Sequence, residues 1–310
     1  MRIRKPAQPA TTLSYVERVN RAIDHIVTHW NKPLRLDRLA RVACLSPFHF
    51  HRVFQGIVGE TPADFIKRIR LERALAMMSH PRRQPLTRIA LACGFSSSSD
   101  FSRSFRQRFG VPPSAFDARA WFESQQRELL DLPTPTGRNH RLQRLPPGAN
   151  PDGFRVVIRS LPPRTVAYIR VLNPYRSDAV LRALQRLMRW AQRHDCADNQ
   201  WLGYQWEDPH VTALKDCIYH AAVECPGSAL KHASGEIGRF RFPAMLVAEV
   251  EVRGSIDLEY RALQWLYSTW LPRSGYVPDD QPTFEAWIGR PTDFTAHDFA
   301  LRIQLPIRRP

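Results

Sequence analysis

The chain has 310 residues, enough for two ordinary domains, and a formal net charge of +16 at pH 7. The charge is uneven, because residues 1–120 contain 21 Lys and Arg against 8 Asp and Glu, whereas residues 152–310 contain 20 against 18. A basic excess of this size is typical of proteins that bind a polyanion. The composition therefore predicts that the first third of the chain contacts nucleic acid and that the second half has another task.

Signals for targeting, membrane insertion and metal binding are weak. The N-terminus is basic but no apolar segment follows it, so we expect no signal peptide, and no apolar run reaches the ~18 residues that a transmembrane helix needs. The five cysteines form no Cys-x-x-Cys pair and predict reduced thiols and no metal site. We therefore expect a cytoplasmic protein without a cofactor and without a membrane partner.

Helical periodicity dominates residues 13–120. Ser46-Pro47 and Thr61-Pro62 each place a capping residue before a proline at the first helical position, and the helical pattern starts again near Leu86. We therefore predict an all-α domain over residues 1–126.

Residues 127–153 are rich in proline and glycine and poor in large apolar residues, which predicts a linker. From Phe154 onward, predicted strands alternate with two predicted helices, Ala179–His194 and Asp257–Leu271. The sequence therefore predicts an α+β domain over residues 154–310. Its predicted strands include Val156–Ile158, Val166–Val171, Ile218–Val223, Leu246–Val252 and Phe299–Ile303.

A repeat in the basic third indicates two helix-turn-helix units. Ala40-x-x-Ala43-Cys44-Leu45-Ser46 matches Ala90-x-x-Cys93-Gly94-Phe95-Ser96 at an offset of 50 residues, and Phe50-x-x-x-Phe54 matches Phe101-x-x-x-Phe105 at an offset of 51. Each copy is typical of a short helix, a tight turn and a second helix that begins at serine. Two unrelated helical hairpins would share the apolar periodicity but not the repeat.

A second repeat, in the C-terminal half, predicts a duplicated α+β unit. The segment Trp201–Pro209 aligns with Thr283–Pro291 at an offset of 82, and Val166-Ala167 aligns with Val247-Ala248 at an offset of 81. Each half has the pattern strand, helix, strand, strand. We expect a pseudo-two-fold axis between the halves and a ligand groove along it.

The segment Ile89-Ala90-x-x-Cys93-Gly94-Phe95-Ser96-x-x-x-x-Phe101-Ser102-Arg103-x-Phe105, followed by Gly110-Val111-Pro112-Pro113-x-x-Phe116, resembles the C-terminal signature of the AraC/XylS family of transcription regulators. Leu45–Phe54 resembles the first recognition helix of that family. One departure is Asp117, where the family usually has arginine. The resemblance implies double-stranded DNA as a partner, RNA polymerase as a second partner, and a role in activating transcription.

The resemblance and the helical spacing together predict the DNA contacts. In the first recognition helix, positions i, i+3, i+4 and i+7 lie opposite the inward-facing phenylalanines. Arginine suits bidentate contact with guanine, and serine at a helix N-terminus suits phosphate. We expect Arg52 and Arg103 to contact bases, with phosphate contact alone as the alternative. The predicted DNA contacts are Phe48, His51, Arg52, Gln55, Ser98, Ser99 and Arg103.

Two C-terminal motifs, Trp270-Leu271-Pro272-x-Ser274-Gly275-Tyr276 and Pro282-Thr283-Phe284-Glu285-Ala286-Trp287, resemble the GyrI-like effector-binding module. The resemblance implies that Glu285 lies in a groove and can meet a cationic ligand. A carboxylate beside an indole suits a lipophilic cation, and a strand glutamate satisfied by arginine or water is the alternative. The predicted effector contacts are Glu285, Trp287, Tyr168, Trp206 and Tyr219.

These patterns predict a sequence-specific transcription regulator, not an enzyme, that responds to a small molecule. Two alternatives stay open for the GyrI-like module. It could be a hydrolase in which Glu285 is the general acid or base, or it could bind a protein. The arginine stripe of the first C-terminal helix is typical of a solvated face, with a second DNA contact as the alternative; it contains Arg182, Arg186, Arg189 and Arg193.

Overall fold

A computed structural model describes residues 9–78, 84–118, 120, 121, 124, 148–175, 178–207, 212–291 and 299–310. The chain divides into two compact units, one built on helices and the other on a β-sheet. Among the described residues, no helix has the length and apolar character needed to span a membrane. The predicted linker lies outside the described residues from 127 to 147, and the predicted domain boundaries at 126 and 153 stay predictions.

The helical unit contains two groups of three packed helices. One group is α1, α2 and α3, the other is α4, α5 and α6, and α4 also packs against α3. The helix starts predicted at Pro47, Pro62 and Leu86 are confirmed. The bounds are α1 Pro9–Thr28, α2 Leu36–Val42, α3 Pro47–Val58, α4 Pro62–Met78, α5 Leu86–Ala92 and α6 Ser98–Phe109.

The pairs α2–α3 and α5–α6 contain the same backbone turn. The Leu45 N–H donates to the Ala40 carbonyl at 2.9 Å, and the Phe95 N–H donates to the Ala90 carbonyl at 3.0 Å. The residue before each of these donors is left-handed, with φ of 52° at Cys44 and 76° at Gly94. The two predicted helix-turn-helix units are therefore confirmed.

Serine side chains begin both second helices, and phenylalanines hold them in place. The hydroxyls of Ser46 and Ser97 accept the N–H groups of the residues three positions later, which satisfies donors that a helix N-terminus leaves free. Phe50 and Phe54 of α3 and Phe101 and Phe105 of α6 are fully excluded from solvent. Within each helix the two rings meet edge to face, as Phe101 and Phe105 do with centroids 5.5 Å apart. These contacts leave the opposite face of each second helix open.

The second unit is an antiparallel sheet with helices. Its strands are β1 Val157–Leu161, β2 Arg164–Leu172, β3 Trp201–Gln205, β4 Ile218–Glu224, β5 Ile237–Phe242, β6 Met245–Gly254, β7 Val277–Pro278, β8 Phe284–Trp287 and β9 Phe299–Arg308. Its helices are α7 Ala179–Arg193, α8 Gly227–Leu230 and α9 Ile256–Trp265. The predicted helix Asp257–Leu271 changes after Trp265 into a π turn, just before Pro272, which lacks the N–H that helix continuation needs.

The strand order confirms the predicted duplication. Neighbours in the sheet follow β1-β6-β9-β8-β3-β4-β2-β5, and the short strand β7 pairs with β9 off this path. Apart from β7, the chain order β1-β2-α7-β3-β4 is repeated by β5-β6-α9-β8-β9. Exchanging the two halves reproduces the same sheet order, with β3 and β8 adjacent at the centre. Each half also contributes its first strand to the other, since β1 pairs with β6 and β5 with β2.

Side chains alternate between the two faces of this sheet. On one face, which we call the helix face, Val250 and Ile303 pack with Ala262 and Trp265 of α9 and its extension. The other face, which we call the aromatic face, is a core of strand residues that includes Tyr168, Tyr204, Phe242 and Phe284. Alternate residues of a strand therefore lie on opposite faces of the sheet, and only those on the helix face can approach α9.

Candidate DNA interface and ligand site

The α3 residues predicted to contact DNA share one outward face. Phe48 is 73% exposed, Arg52 and Gln55 are exposed, and His51 is half-buried. The Arg52 guanidinium lies 5.6 Å from the centroid of the Phe48 ring, a cation–π contact that orients both groups. This face offers a cation, an amide and an aromatic edge, which are the groups that recognise base edges in the major groove.

The α6 residues predicted to contact DNA are exposed as well. Ser98 and Ser99 lie in its first turn, and Arg103 follows one turn later. The Nη2 atom of Arg103 lies 3.7 Å from Oδ1 of Asp100, and the arginine side chain is 79% exposed. A phosphate or a guanine would therefore compete with Asp100 for this guanidinium.

Arg106 is absent from the predicted DNA contacts although it is exposed on the same face of α6. At the offset of 51 residues between the two recognition helices, Arg52 aligns with Arg103 and Gln55 aligns with Arg106. Applying the repeat to every outward position would have found this residue. The α6 face is therefore more basic than predicted.

Glu285 lies on the helix face of the sheet, where it is paired with Gly203 of β3 and with Ile303 of β9. The Tyr219 hydroxyl, on β4, donates a hydrogen bond to Oε2 of Glu285 at 2.6 Å. Burial raises the pKa of Glu285, and the hydrogen bond from Tyr219 offsets part of that rise. The structure thus brings together two of the five predicted effector residues.

Gly203 provides the space for this hydrogen bond. A Cβ atom at that position would overlap both the Tyr219 hydroxyl and the Glu285 carboxylate. Gly203 and Glu285 are also 82 residues apart, the offset of the internal repeat, so they occupy equivalent positions in the two halves. One copy of the repeat therefore has glutamate at this position, and the other has glycine, whose missing side chain leaves room for the carboxylate.

Trp287 shares the helix face with Glu285 but is part of the packing around α9. Its ring centroid lies 5.7 Å from that of Phe299, and the ring packs against the core cluster that contains Trp265. It lies two residues from the carboxylate on the same strand face. Trp287 therefore shares a strand face with Glu285, and its ring belongs to the hydrophobic packing around α9.

Tyr168 and Trp206 belong to the aromatic face, so the prediction that they line the same groove as Glu285 is corrected. Tyr168 is 0% exposed, with its ring 5.3 Å from that of His220. The Trp206 ring lies 5.6 Å from that of Phe240. A shift of one residue along a strand moves a side chain to the opposite face of the sheet. The aromatic composition of the strands does not show which face each aromatic residue occupies.

Glu259 is a buried carboxylate that was absent from the predicted effector contacts. It lies on α9, is 8% exposed, and has a pKa well above its usual value because of burial and the neighbouring Glu285 carboxylate. The spacing of Glu259 along the helix could have revealed its burial. Glu259 precedes the buried residues Ala262 and Leu266 by three and seven positions, which places all three on one helix face. A carboxylate within an apolar helical stripe indicates either a core partner or a ligand.

Polar aromatic residues complete this part of the helix face. The Gln205 amide donates to the Tyr175 hydroxyl at 3.2 Å, and Gln205 is paired with Tyr219 across β3 and β4. Burial raises the pKa values of Tyr175, Tyr219 and Tyr260, and the Glu285 charge raises them further. These phenols therefore stay protonated and can act as hydrogen-bond donors.

The described residues contain no group of three or more His, Cys, Asp and Glu side chains arranged to hold a metal ion. The five cysteines form no disulfide, and Cys44 is exposed whereas the others are buried.

Two family models match the chain. A helix-turn-helix domain model matches residues 39–119, and a model of the GyrI-like small molecule binding domain matches residues 155–308. The first match covers α3 and α6, and the second covers Tyr219, Glu259 and Glu285.

Individual relatives match parts of the chain. LumQ of Photobacterium leiognathi, named a probable transcriptional regulator, is 35% identical over 103 residues, which are 33% of this chain and 41% of the relative. The HTH-type transcriptional regulator CdhR of Pseudomonas aeruginosa is 32% identical over 133 residues, which are 43% of this chain and 34% of the relative. The chain thus spans less than half the length of these curated relatives.

Among solved structures, the chain is similar to a transcriptional regulator with an AraC-type DNA-binding domain from Chromobacterium violaceum, at 28% sequence identity. The match covers 33% of this chain and 89% of that chain, with a TM-score of 0.30. The helix-turn-helix repeat, the duplicated sheet and the two family models all point to the same pair of modules. The chain therefore combines a helix-turn-helix domain of the AraC type with a GyrI-like small molecule binding domain.

Proposed function

We propose that this protein is a sequence-specific DNA-binding transcription regulator whose activity responds to a small cationic ligand bound at Glu285. The observation that carries the proposal is the attachment of a GyrI-like domain, in which the half-buried Glu285 carboxylate forms no ion pair with any described residue, to an AraC-type helix-turn-helix domain. We also expect RNA polymerase to be a partner, as the family resemblance implies.

The DNA half of the proposal rests on the outward faces of α3 and α6. Both helices are anchored by buried phenylalanines, so their exposed residues are presented on rigid supports. Arg52 and Arg103 occupy equivalent positions in the repeat and suit the acceptor atoms of guanine. Phosphate contacts from the serines of α6 would set the register without reading sequence.

The ligand half rests on the charge of Glu285. Among the described residues, its only hydrogen-bond donor is the neutral Tyr219 hydroxyl, and no Lys, Arg or His forms an ion pair with it. A carboxylate that is partly withdrawn from water and has no counter-charge is costly to ionise. A ligand cation would supply the counter-charge, and the nearby phenol rings would favour it through cation–π contact.

The ligand half is tested by thermal unfolding with a panel of quaternary ammonium amphiphiles and neutral isosteres of the same size. A ligand that binds the folded state raises the Tm by mass action. We expect the cations, and not the isosteres, to stabilise the wild type, and Glu285→Gln to lose the effect. Glu251→Gln is the matched control, since Glu251 is exposed on β6 and ion-paired with Arg253. Absence of stabilisation by every cation would refute a cationic effector.

The link to DNA is tested by footprinting on a site selected from random sequences, with and without a stabilising cation. We expect the cation to change the affinity or the footprint in the wild type and not in Glu285→Gln. Consumption of the cation by the wild type alone would favour the hydrolase reading instead.

A further inference from the structure

Two buried cysteines of the sheet unit are in direct contact. The Cys225 thiol donates a hydrogen bond to the Cys196 sulfur at 2.9 Å, across 29 residues of sequence. Cys196 is 0% exposed and Cys225 is 7% exposed, and both belong to the second unit. The proposed function gives this contact no role.

Backbone hydrogen bonds hold each cysteine from its own side. The Cys196 N–H donates to a carbonyl in the last turn of α7 at 3.0 Å. The Cys225 N–H donates to the Thr165 carbonyl of β2, also at 3.0 Å. A second contact joins the same two segments, because the rings of His194 and His232 stack with their centroids 4.7 Å apart. The fold therefore keeps the two sulfur atoms together, which a disulfide between them requires.

The hydrogen bond gives the two thiols different acidities. Burial raises the pKa of both thiols, and the hydrogen bond offsets part of the rise at Cys196 but adds to it at Cys225. Because the thiolate is the nucleophile in thiol oxidation, we expect Cys196 to react first. Cys225 keeps its proton and touches the sulfur that is oxidised. Burial of both thiols favours a small oxidant over the thiol of another protein.

We propose that Cys196 and Cys225 form a dithiol that hydrogen peroxide converts into a reversible disulfide. The Cys196 thiolate attacks a peroxide oxygen, the O–O bond breaks, and Cys196 becomes a sulfenic acid while hydroxide leaves. The Cys225 sulfur then attacks the Cys196 sulfur, the S–O bond breaks, and the Cys225 proton leaves with that oxygen as water. The proton lost from Cys196 converts the hydroxide into a second water, so two thiols and one peroxide give one disulfide and two waters.

The disulfide closes a loop of the chain that contains β3 and β4. These strands include Gly203 and Tyr219, the residues beside the Glu285 carboxylate. A cross-link of this kind stabilises a fold mainly by restricting the unfolded chain. We therefore expect peroxide to raise the Tm of the sheet unit by at least about 5 °C, and dithiothreitol to reverse the rise.

The proposal is tested by treating the reduced full chain with hydrogen peroxide in the absence of denaturant. The remaining thiols are trapped with iodoacetamide, and cross-links are mapped by peptide mass spectrometry. We expect a Cys196–Cys225 cross-link in the wild type that dithiothreitol removes. Oxidation of the exposed Cys44 shows that the peroxide is active. Tryptophan fluorescence follows the Tm, since six of the eight tryptophans belong to the second unit.

Alanine variants separate this pair from the other thiols. Cys196→Ala and Cys225→Ala should each lose the cross-link and the Tm rise, whereas Cys217→Ala, which removes another buried thiol of the same unit, should keep both. Dimedone should label Cys196 as a sulfenic acid in Cys225→Ala, and labelling of Cys225 in Cys196→Ala instead would overturn the order of attack.

The dithiol is overturned if peroxide that oxidises Cys44 leaves Cys196 and Cys225 reduced. It is also overturned if the cross-link forms only in urea, because the folded contact is then not its cause, or if the cross-link joins another pair. A Cys196–Cys225 cross-link that leaves the Tm unchanged would confirm the dithiol and overturn the stabilisation.

Discussion

The Tyr219 hydroxyl lies 2.6 Å from Oε2 of Glu285, in a space that exists because Gly203 has no side chain. The three residues come from three neighbouring strands, β4, β8 and β3. Gly203 and Glu285 are equivalent in the internal repeat and face each other across the centre of the sheet. This hydrogen bond therefore depends on a difference between the two copies of the repeat, which have glycine and glutamate at equivalent positions.

Replacing Gly203 by alanine should disrupt the site. The new Cβ would displace the Tyr219 hydroxyl and the Glu285 carboxylate, so we expect overpacking to cost about 1–3 kcal/mol of unfolding free energy and cation binding to be lost. Urea denaturation and thermal shift would measure the two effects. Adding Tyr219→Phe should recover part of the stability, because it removes one of the two clashing groups, and strict additivity of the two changes would contradict this account.

The stability of the protein should depend on pH through Glu259. Its folded-state pKa is raised, so its contribution is fully present below the unfolded pKa of about 4.3 and is lost as pH rises through the folded pKa. Glu259→Gln removes this loss. We expect its Tm to exceed that of the wild type by at least about 2 °C at pH 8, which corresponds to somewhat under 1 kcal/mol, and the difference to shrink towards pH 4.

Glu251 is the control with the opposite sign. Its pKa is lowered, first by the hydrogen bond from Arg253, so its contribution is present above the unfolded pKa and is lost as pH falls through the folded pKa. Glu251→Gln should therefore be no more stable than the wild type at pH 8. A Tm difference for Glu259→Gln that does not change with pH would contradict the raised pKa.

Arg52→Ala and Arg103→Ala should each weaken binding to the selected DNA site much more than binding to random DNA. A bidentate contact with a base is worth about 1–3 kcal/mol, or roughly tenfold to a hundredfold in affinity. Fluorescence anisotropy at fixed salt would measure both affinities. Arg189→Ala on α7 is the control, and it should change neither affinity. Equal losses on both DNAs would reduce Arg52 and Arg103 to phosphate contacts.

The two helix-turn-helix turns should respond in opposite ways to substitution. Gly94→Ala places a Cβ 2.9 Å from the Asn31 carbonyl oxygen at a φ of +76°, so we expect a loss of more than about 1 kcal/mol in unfolding free energy. Cys44 already tolerates a φ of 52°, and Cys44→Gly should be neutral or slightly stabilising. Urea denaturation would compare them, and a destabilised Cys44→Gly variant would contradict the equivalence of the turns.

Much of the fold follows from local patterns in the chain. Ser46-Pro47 predicts the start of α3, the offset of 50 predicts the second turn at Gly94, and the offset of 82 predicts the duplicated sheet. These features are local or periodic, and each depends on backbone chemistry that residues near in sequence determine. The repeat also contained Arg106, which was missed because the offset was not applied to every outward position of α6.

The surroundings of Glu285, the candidate ligand site, depend on contacts between distant segments. Tyr168 and Tyr219 are both strand tyrosines, yet pairing in the sheet puts the first in the aromatic core and the second against Glu285. Gly203 matters only because β3 lies beside β8. The sequence by itself therefore determined the two modules, their internal repeats and the residues capable of the chemistry. Only the tertiary structure decided which of those residues meet, because strand parity and register are set by packing across the whole sheet.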